Sequence, residues 1–450
     1  MQQLTQRLRA STTLKVFSIG VLILVLLIPM SMIESVIYER QSMGHVAERN
    51  IQQTWGMQQL VAGPVLVIPY KVYWTDADGD ERSRDKILYR LPKTLDIDAD
   101  VRTERRYRGK HVVPVYTSTV TLAGALPSIE QLGLTPEHIV WEEAYVAIGI
   151  SDGRAIAETP SMRINGNDVA FVPGGQRIDY LPPQIIAPLS SVADAIKTDQ
   201  DIAFSIELHV KGSEMLRFLP FGDTTTVRMT ADWDSPSFVG NYLPIERDIS
   251  ESGFTAEWKV SSIGRPLPAE WGERSDPTRN AEQSAFGVTL YTPISIYRLT
   301  ERAAKYGVLF IGLTFVAYFM FEITGGLRLH PLQYLMVGMA NALFYLLLIS
   351  FAEHIGFGIA YLLSVIASSA LIVGYSQAVL GTGRRSMVMG GILLLLYSFL
   401  YMTLKAEDYA LLAGSIGLWL TLALVMYLTR RIDWYGRGTT DGAENNSVSS

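Results

Sequence analysis

Six apolar runs, each close to the ~20 residues that cross the hydrocarbon of a bilayer, constrain most what this chain can fold into. One lies near the start, at residues 16–33, and five crowd the last third, at 306–321, 332–351, 355–377, 387–404 and 409–428. Polar hinges separate them. Backbone groups in lipid find no water to bond, so such runs must close their hydrogen bonds internally as helices. The first run follows Arg7, Arg9 and Lys15 and ends Pro29-Met30-Ser31-Met32-Ile33. It exceeds the ~7–15 apolar residues of a cleaved signal peptide and lacks a small-residue cleavage site. An uncleaved signal anchor is expected.

Basic residues in short loops set orientation. With the N-terminus inside, the cytoplasmic segments hold Arg7, Arg9, Lys15, Arg328, Arg384, Arg385, Arg430, Arg431 and Arg437. The two short outer loops hold Glu353, Glu407 and Asp408, with Lys405 their one base. Both termini are therefore expected in the cytoplasm, with the long segment between the first two spans outside. The tail from Gly438 is rich in Gly, Thr, Asn and Ser and reads as disordered.

That long segment carries most of the charge. Residues 34–303 hold about 27 of the 38 basic residues and about 37 of the 44 acidic ones, a net excess of about 10 acids. Such a surface favours neither nucleic acid nor anionic headgroups. There is no cysteine, which excludes disulfides, thiolate metal sites and thiol catalysis. The segment must fold by its own core, which a chain of roughly 270 residues can do.

Period-two alternation marks that core. Ile202, Phe204, Ile206, Leu208 and Val210 alternate with Asp201, Ser205, Glu207, His209 and Lys211, the pattern of a strand with one buried face. Gly212-Ser213 then reads as a hairpin turn. Similar runs stand at 65–68, 113–122, 145–150, 225–229 and 254–260, with Pro and Gly between them. The expected fold class is an α+β membrane protein. It has six transmembrane helices, one an N-terminal anchor and five a C-terminal bundle, and a large antiparallel β-rich extracytoplasmic domain of sandwich or roll form. Its segments are a cytoplasmic N-terminus at 1–15, the anchor at 16–33, a helical linker broken near Gly44 at 34–61, the β domain at 62–303, the bundle at 304–430 and a cytoplasmic tail at 431–450. A division of the β domain into two halves near 135–142 is an option.

Two motifs suggest chemistry and have blander uses. Gly149-Ile150-Ser151-Asp152-Gly153 fits the GxSxG of a nucleophile elbow, which needs a strand, a sharp turn and a helix. Residues 155–160 start a helix poorly, so a β-turn is expected. Asp76-Ala77-Asp78-Gly79-Asp80-Glu81 is similar to a calcium loop, but the glycine is misplaced and position twelve is Ile87. A solvated hairpin loop is expected. No catalytic residue, metal site or cofactor is assigned.

Several strings resemble the CreD family of bacterial inner-membrane proteins grouped under cell-envelope integrity. They are Gly63-Pro64-Val65-Leu66-Val67-Ile68-Pro69-Tyr70; Phe218-Leu219-Pro220-Phe221-Gly222 with Trp233, Pro236-Ser237-Phe238, Gly240 and Leu243-Pro244; and Glu301-Arg302-Ala303-Ala304-Lys305-Tyr306-Gly307. The most specific are His330-Pro331-Leu332-Gln333-Tyr334, Phe344-Tyr345-Leu346-Leu347-Leu348, Glu353-His354-Ile355, Glu407-Asp408-Tyr409-Ala410-Leu411-Leu412 and Thr429-Arg430-Arg431-Ile432-Asp433-Trp434. The resemblance implies an inner-membrane location and an envelope-stress theme, without a mechanism.

The candidate functional residues lie in and around the bundle. Glu322 and His330 should share one membrane face with Arg328, and Glu353, His354, Glu407 and Asp408 the other. Asn341 lies near mid-membrane, where a buried amide seeks a partner on another helix. Gly356, Ala360, Ser364 and Ser368 recur every fourth residue, a stripe for close helix packing. The expected function is non-enzymatic envelope maintenance: the β domain binds or senses an envelope lipid, glycan or protein, and the bundle relays occupancy. The alternatives are a transporter or lipid-handling protein passing cargo to the bundle and, third, an intramembrane enzyme using the outer acids and His354.

Overall fold

The computed structural model describes residues 12–109, 111–175, 178, 181–197, 200–272, 281–290, 296–325, 327–406 and 409–430. The chain divides into two compact units, Met1–Met43 with Ile294–Ser450, and Gly44–Pro293.

In the first unit, α1 (Thr12–Trp55) supplies its membrane part. It is followed by α2 (Ile296–Lys305), α3 (Gly307–Gly325), α4 (Pro331–Ile355), α5 (Phe357–Leu380), α6 (Gly383–Lys405) and α7 (Ala410–Thr429). Five of these, α1 and α3 to α6, are long and apolar enough to cross a membrane. The sixth expected span coincides with α7, whose described apolar stretch is Leu412–Tyr427. At their C-terminal ends these helices run past the apolar runs, α1 furthest, to Trp55, and the others by one to four residues.

Two readings of the linker need correction. α1 runs unbroken through Gly44 and carries Pro29 inside; one helical glycine costs only ~1 kcal/mol, less than its flanking turns supply. Residues 296–303, expected at the end of the β domain, belong with 304–305 to one helix, α2. It buries Leu299, Thr300, Ala303 and Ala304 and leaves Glu301 and Lys305 as an i,i+4 ion pair at 2.8 Å.

Helix packing in the bundle uses glycines the four-residue stripe did not include. A Cβ at Gly338 would come within 2.2 Å of Leu26 Cδ1 and 2.9 Å of the Phe315 ring. One at Gly307 would come within 2.4 Å of Met30 Cε. α1 therefore seats Leu26 and Met30 on bare backbone of α4 and α3, the close approach that small residues permit in membranes.

The second unit holds two sheets, nine-stranded and eight-stranded among the described residues. The eight-stranded sheet centres on the strands Thr94–Arg108, His111–Leu126 and Ile202–Ser213, paired antiparallel. The nine-stranded sheet centres on Gln59–Thr75, Tyr145–Ile150 and Met215–Phe218. Most pairings are antiparallel, but Thr94–Val101 runs parallel to Thr224–Ala231, and Gln59–Val61 parallel to Leu216–Phe218. The alternation behaves as expected: Ile202, Phe204, Ile206, Leu208 and Val210 are all buried. They join one core that includes Leu66, Phe218, Trp258 and Phe286. Trp258 of one sheet meets Phe286 of the other with centroids 5.9 Å apart.

Gly212-Ser213 is not a hairpin turn. The strand runs on to Ser213, and Glu214, at φ 60°, turns the chain into the other sheet, where Met215–Phe218 pairs. Gly212 is bare because the Tyr116 ring of the facing strand lies over it, 2.3 Å from where a Cβ would sit. The Tyr116 hydroxyl donates to Met215 O at 2.8 Å. Residues 135–142 do not divide the domain. They hold a short 3-10 turn, Pro136–His138, and Val140 N donates to Pro69 O at 2.9 Å.

Candidate functional site

Among the described residues of the membrane unit, polar side chains gather around Glu322, Asn341 and Glu353. Glu322 lies on the last turns of α3 and is 5% exposed. A carboxylate in an apolar bundle must be paired to stay ionised. Here Tyr334 OH donates to Oε2 at 2.9 Å, Leu329 N donates to Oε1 at 3.2 Å, and Lys15 Nζ contacts Oε1. Three segments, α1, α4 and the loop entering α4, thus converge on one side chain. Arg385 packs against Gly325, and its Nη1 donates to Leu380 O at 3.3 Å.

His330, expected beside Glu322 as a functional group, is an exposed helix cap. Its Nδ1 accepts from Leu332 N at 3.2 Å, and Gln333 Oε1 accepts from His330 N at 2.9 Å. This is a capping box, with imidazole standing where a hydroxyl usually does.

The second place is the centre of the bundle. Asn341 on α4 is 3% exposed, and Tyr397 of α6 donates its hydroxyl to Asn341 Oδ1 at 3.1 Å. Tyr361 of α5 donates to Tyr397 O at 2.6 Å, and the Phe344 ring lies 4.6 Å from that of Tyr397. Ala360, Ser364 and Ser368 are buried on α5 as the stripe implies. Ser364 turns its hydroxyl back to Ala360 O at 2.8 Å. Gly356 is different: at φ 80° it forms the link between α4 and α5, and nothing lies within 4 Å of its Cβ position. Its glycine serves backbone conformation. Asn341 Nδ2, Tyr345 OH and Ser368 Oγ are buried without a hydrogen-bond partner among the described residues.

The third place is the Glu353 end of α4. Glu353 is half-buried and accepts from Tyr297 OH of α2 at 3.2 Å. Burial, and then the Glu353 carboxylate, push Tyr297 up to about 12. His354 is exposed. Glu407 and Asp408 lie outside the described residues, so the expected four-residue outer cluster is represented by Glu353 and a tyrosine that sequence reasoning did not select. The signal was present: Tyr334, Tyr345, Tyr361 and Tyr397 sit within apolar runs, where a hydroxyl needs a partner.

In the β domain both enzyme-like motifs resolve as structure. Ser151 Oγ accepts from Leu60 N at 3.0 Å, and the following residues form a 3-10 turn, Gly153–Ala155, with no helix after the strand. Asp152 caps that turn, and the Arg154 guanidinium holds its carboxyl below the usual range. Asp76 Oδ1 accepts from the amides of Asp78 and Asp80 at 3.0 Å each, and Oδ2 from Arg82 Nε at 2.7 Å. The carboxylate of the calcium-like loop is already occupied by the hairpin. Among the described residues no His, Asp and Glu groups converge as metal ligands would. A shallow groove of about 190 Å³ runs over the polar face of the eight-stranded sheet, lined by Asp100, Arg102, Thr117, His209 and Lys211 among others.

The strand that carries the string at 63–70 meets the string at 218–222 through its first residues, 59–61. Leu219 N donates to Val61 O at 3.2 Å, beside the parallel pairing. Arg265, buried, donates to Phe221 O at 3.0 Å, Gly222 O at 2.8 Å and Asp223 Oδ1 at 3.2 Å. These residues build the junction between the sheets, which accounts for their density of Gly, Pro and Phe.

Comparison with known proteins agrees with this architecture. The inner membrane protein CreD of Escherichia coli (strain K12) is 34% identical over 422 residues, 92% of this chain and 91% of that protein. The family model described as inner membrane protein CreD matches residues 11–435. The match runs along nearly the whole length of both proteins, and the chain belongs to the CreD family of inner membrane proteins.

Proposed function

We infer that this protein maintains the cell envelope by binding or sensing an envelope lipid, glycan or protein through its β domain, held on the periplasmic side. The observation that carries this reading is the continuity of α1. One helix belongs at its start to the membrane unit and at its end to the β domain. Its last turns are fixed to the domain. Ile51 packs with Val113 and Val115, Trp55 Nε1 donates to Tyr116 O at 3.1 Å, and the Arg106 guanidinium stacks 3.8 Å from the Trp55 ring. An unbroken helix transmits tilt and rotation, which a flexible linker would absorb.

A relay fits the bundle better than a proton-driven pump. Between Glu322 and Glu353, the described buried polar side chains are hydroxyls and one amide, including Thr314, Asn341, Ser364, Ser368 and Ser376. A proton pathway would need ionisable groups at that depth. The basic residues Arg7, Arg9, Lys15, Arg328, Arg384 and Arg385 support cytoplasmic termini under the six-span plan.

Insertion of Gly-Gly-Ser after Gly44 tests the reading. The variant should reach normal membrane levels and lose envelope-stress protection. Full protection at normal levels would sink the relay. Native mass spectrometry of gently solubilised protein would then identify what the domain carries.

A further inference from the structure

One hairpin of the β domain reverses the domain's charge. Residues 34–303 are acidic on balance, yet residues 102–110 hold five bases, Arg102, Arg105, Arg106, Arg108 and Lys110, against one acid, Glu104. The four arginines lie where the strand Thr94–Arg108 nears its hairpin partner His111–Leu126. The sheet ends before the hairpin does. On one side Thr224–Ala231 pairs no further than Val101, and on the other Ile202–Ser213 pairs no further than Val115. Beyond both, the four pairs from Arg105↔Pro114 to Arg108↔His111 form a two-stranded ribbon, with no third strand among the described residues.

A ribbon of two strands is marginal by itself. This one is pinned at its base on both faces. On one, the Arg106 guanidinium stacks on the Trp55 ring at 3.8 Å and Val113 packs with Ile51. On the other, Arg105 lies over the Trp233 ring at 5.6 Å. The pins leave the tip bare. Tyr107 is 69% exposed, its cross-strand neighbour Val112 is 43% exposed, and Arg108 is exposed.

Charges on a strand edge are a usual guard against pairing with another chain. Arg102 with Asp100 at 3.1 Å and Arg106 with Glu104 at 3.2 Å suit that use. The guard calls for no tyrosine beside a valine. An apolar pair set among arginines suits a layer of anionic headgroups, because arginine and tyrosine bury their apolar parts and keep their polar ends at phosphate level. The guanidinium fork also matches phosphate oxygens. A long anionic polymer would run on from the ribbon over the acidic remainder of the domain, whereas a flat lipid surface meets the tip alone.

We propose that the tip of this ribbon docks on an anionic phospholipid surface, with Tyr107 and Val112 entering the headgroup layer and Arg105 and Arg108 meeting its phosphates. The proposal rests on the reading that the β domain engages an envelope component, and it names the class of that component and the place. Lipid charge then becomes an input to the domain: the tip holds an anionic surface and leaves a neutral one.

The chain has no cysteine, so a single label can be placed at will. Full-length Val112→Cys carrying a bimane fluorophore is reconstituted in nanodiscs that contain a lipid with a nitroxide on its headgroup, which quenches on contact. In equal parts of phosphatidylcholine and phosphatidylglycerol, quenching should be at least about twofold stronger than in phosphatidylcholine alone, and should fall in ~0.5 M salt, which shortens the reach of charges. Arg108→Glu and Arg105→Gln should remove the difference, and Arg105→Lys should keep it. The same label at Gly79→Cys, on the acidic hairpin loop, should show no gain with phosphatidylglycerol. Equal quenching at Val112→Cys in the two lipids overturns the proposal, as does a difference that survives Arg108→Glu. Sodium phosphate and sodium chloride of matched ionic strength should weaken the quenching alike. Abolition by phosphate alone overturns the proposal too, because the tip would then hold a discrete phosphate and no bilayer. If the lipid response fails while the Gly-Gly-Ser insertion still abolishes protection, the lipid assignment falls and the relay stands.

Discussion

Tyr397 and Asn341 are joined by a hydrogen bond of 3.1 Å that ties α6 to α4 at the middle of the bundle. Each supplies what the other lacks in an apolar setting, a donor for an amide oxygen. Tyr361 extends the contact to α5 through the Tyr397 carbonyl. Such interhelical bonds are worth about 0.6–1.7 kcal/mol, because the unfolded state in the membrane also finds partners.

Tyr397→Phe and Asn341→Leu should therefore each lower stability in detergent by about 1 kcal/mol, and the double variant by less than the sum. A double-mutant cycle on thermal or denaturant unfolding measures the coupling. Strict additivity would show that the bond contributes nothing.

Glu322 predicts a steeper response. Tyr334→Phe removes one donor from a buried carboxylate and should cost about 1.5–3 kcal/mol, the range for bonds to charged groups. Lys15→Met should cost less, since Lys15 is 34% exposed and solvent already screens it. Equal losses for the two would mean that the lysine holds the charge as firmly as the tyrosine does.

At Gly212 sterics decide. Gly212→Ala places a methyl 2.3 Å from the Tyr116 ring, which is pinned by its own bond to Met215 O. Overpacking of this kind costs about 1–3 kcal/mol. Gly79→Ala, in the hairpin loop with open space around it, should cost about 1 kcal/mol from its φ of 87° alone. Chemical unfolding of the two full-length variants ranks them, and a reversed order contradicts the packing account.

Asp152 supplies a pH test. Its carboxyl is held down by Arg154 first, so its stabilising contribution is present above the ordinary carboxyl pKa and is lost as pH falls through the depressed value. Arg154 is 69% exposed, so Arg154→Met should shift stability by less than ~1 kcal/mol. Asp152→Ala also removes acceptors for Met57 N and Arg154 N and should weaken the acid limb of the stability curve more. Unfolding midpoints between pH 3 and 7 would show which variant loses the slope.

The Glu353 end bears on function. Glu353→Gln and Tyr297→Phe should both abolish envelope-stress protection at normal membrane levels, while Glu444→Gln in the tail should do nothing. Retained protection in the first two would reduce the Tyr297–Glu353 pair to helix packing.

Much of this fold was legible because its signals are local. Each membrane helix announces itself by twenty apolar residues, and the Ile202–Ser213 strand by alternation. What escaped was non-local or sterically set. The parallel pairing of Thr94–Val101 with Thr224–Ala231 leaves no mark in either strand. α2 is ten residues, too short to separate from its surroundings. Gly338 and Gly307 were passed over because a regular four-residue stripe drew attention to Gly356, where no helix approaches. The bundle's polar partners were missed because tyrosine counts as apolar until its hydroxyl must be satisfied. His330 was singled out as a polar residue, and its role as the cap of α4 depends on local backbone geometry that residue type alone does not show.

The crossover at Glu214 has a mechanical meaning as well. Strand Ile202–Ser213 belongs to one sheet and Met215–Phe218 to the other, with a single residue between them. The two sheets are therefore geared, not merely stacked. If the eight-stranded sheet slid along that strand, Leu216 would be dragged against Gln59 and Val288, its neighbours on either side. Because side chains alternate between faces, a slip of one residue would turn the buried set outward. Shear applied to either layer thus passes through Glu214 and through the other short links between the sheets, residues 91–93 and 219–223, and the domain should respond to load as a single block.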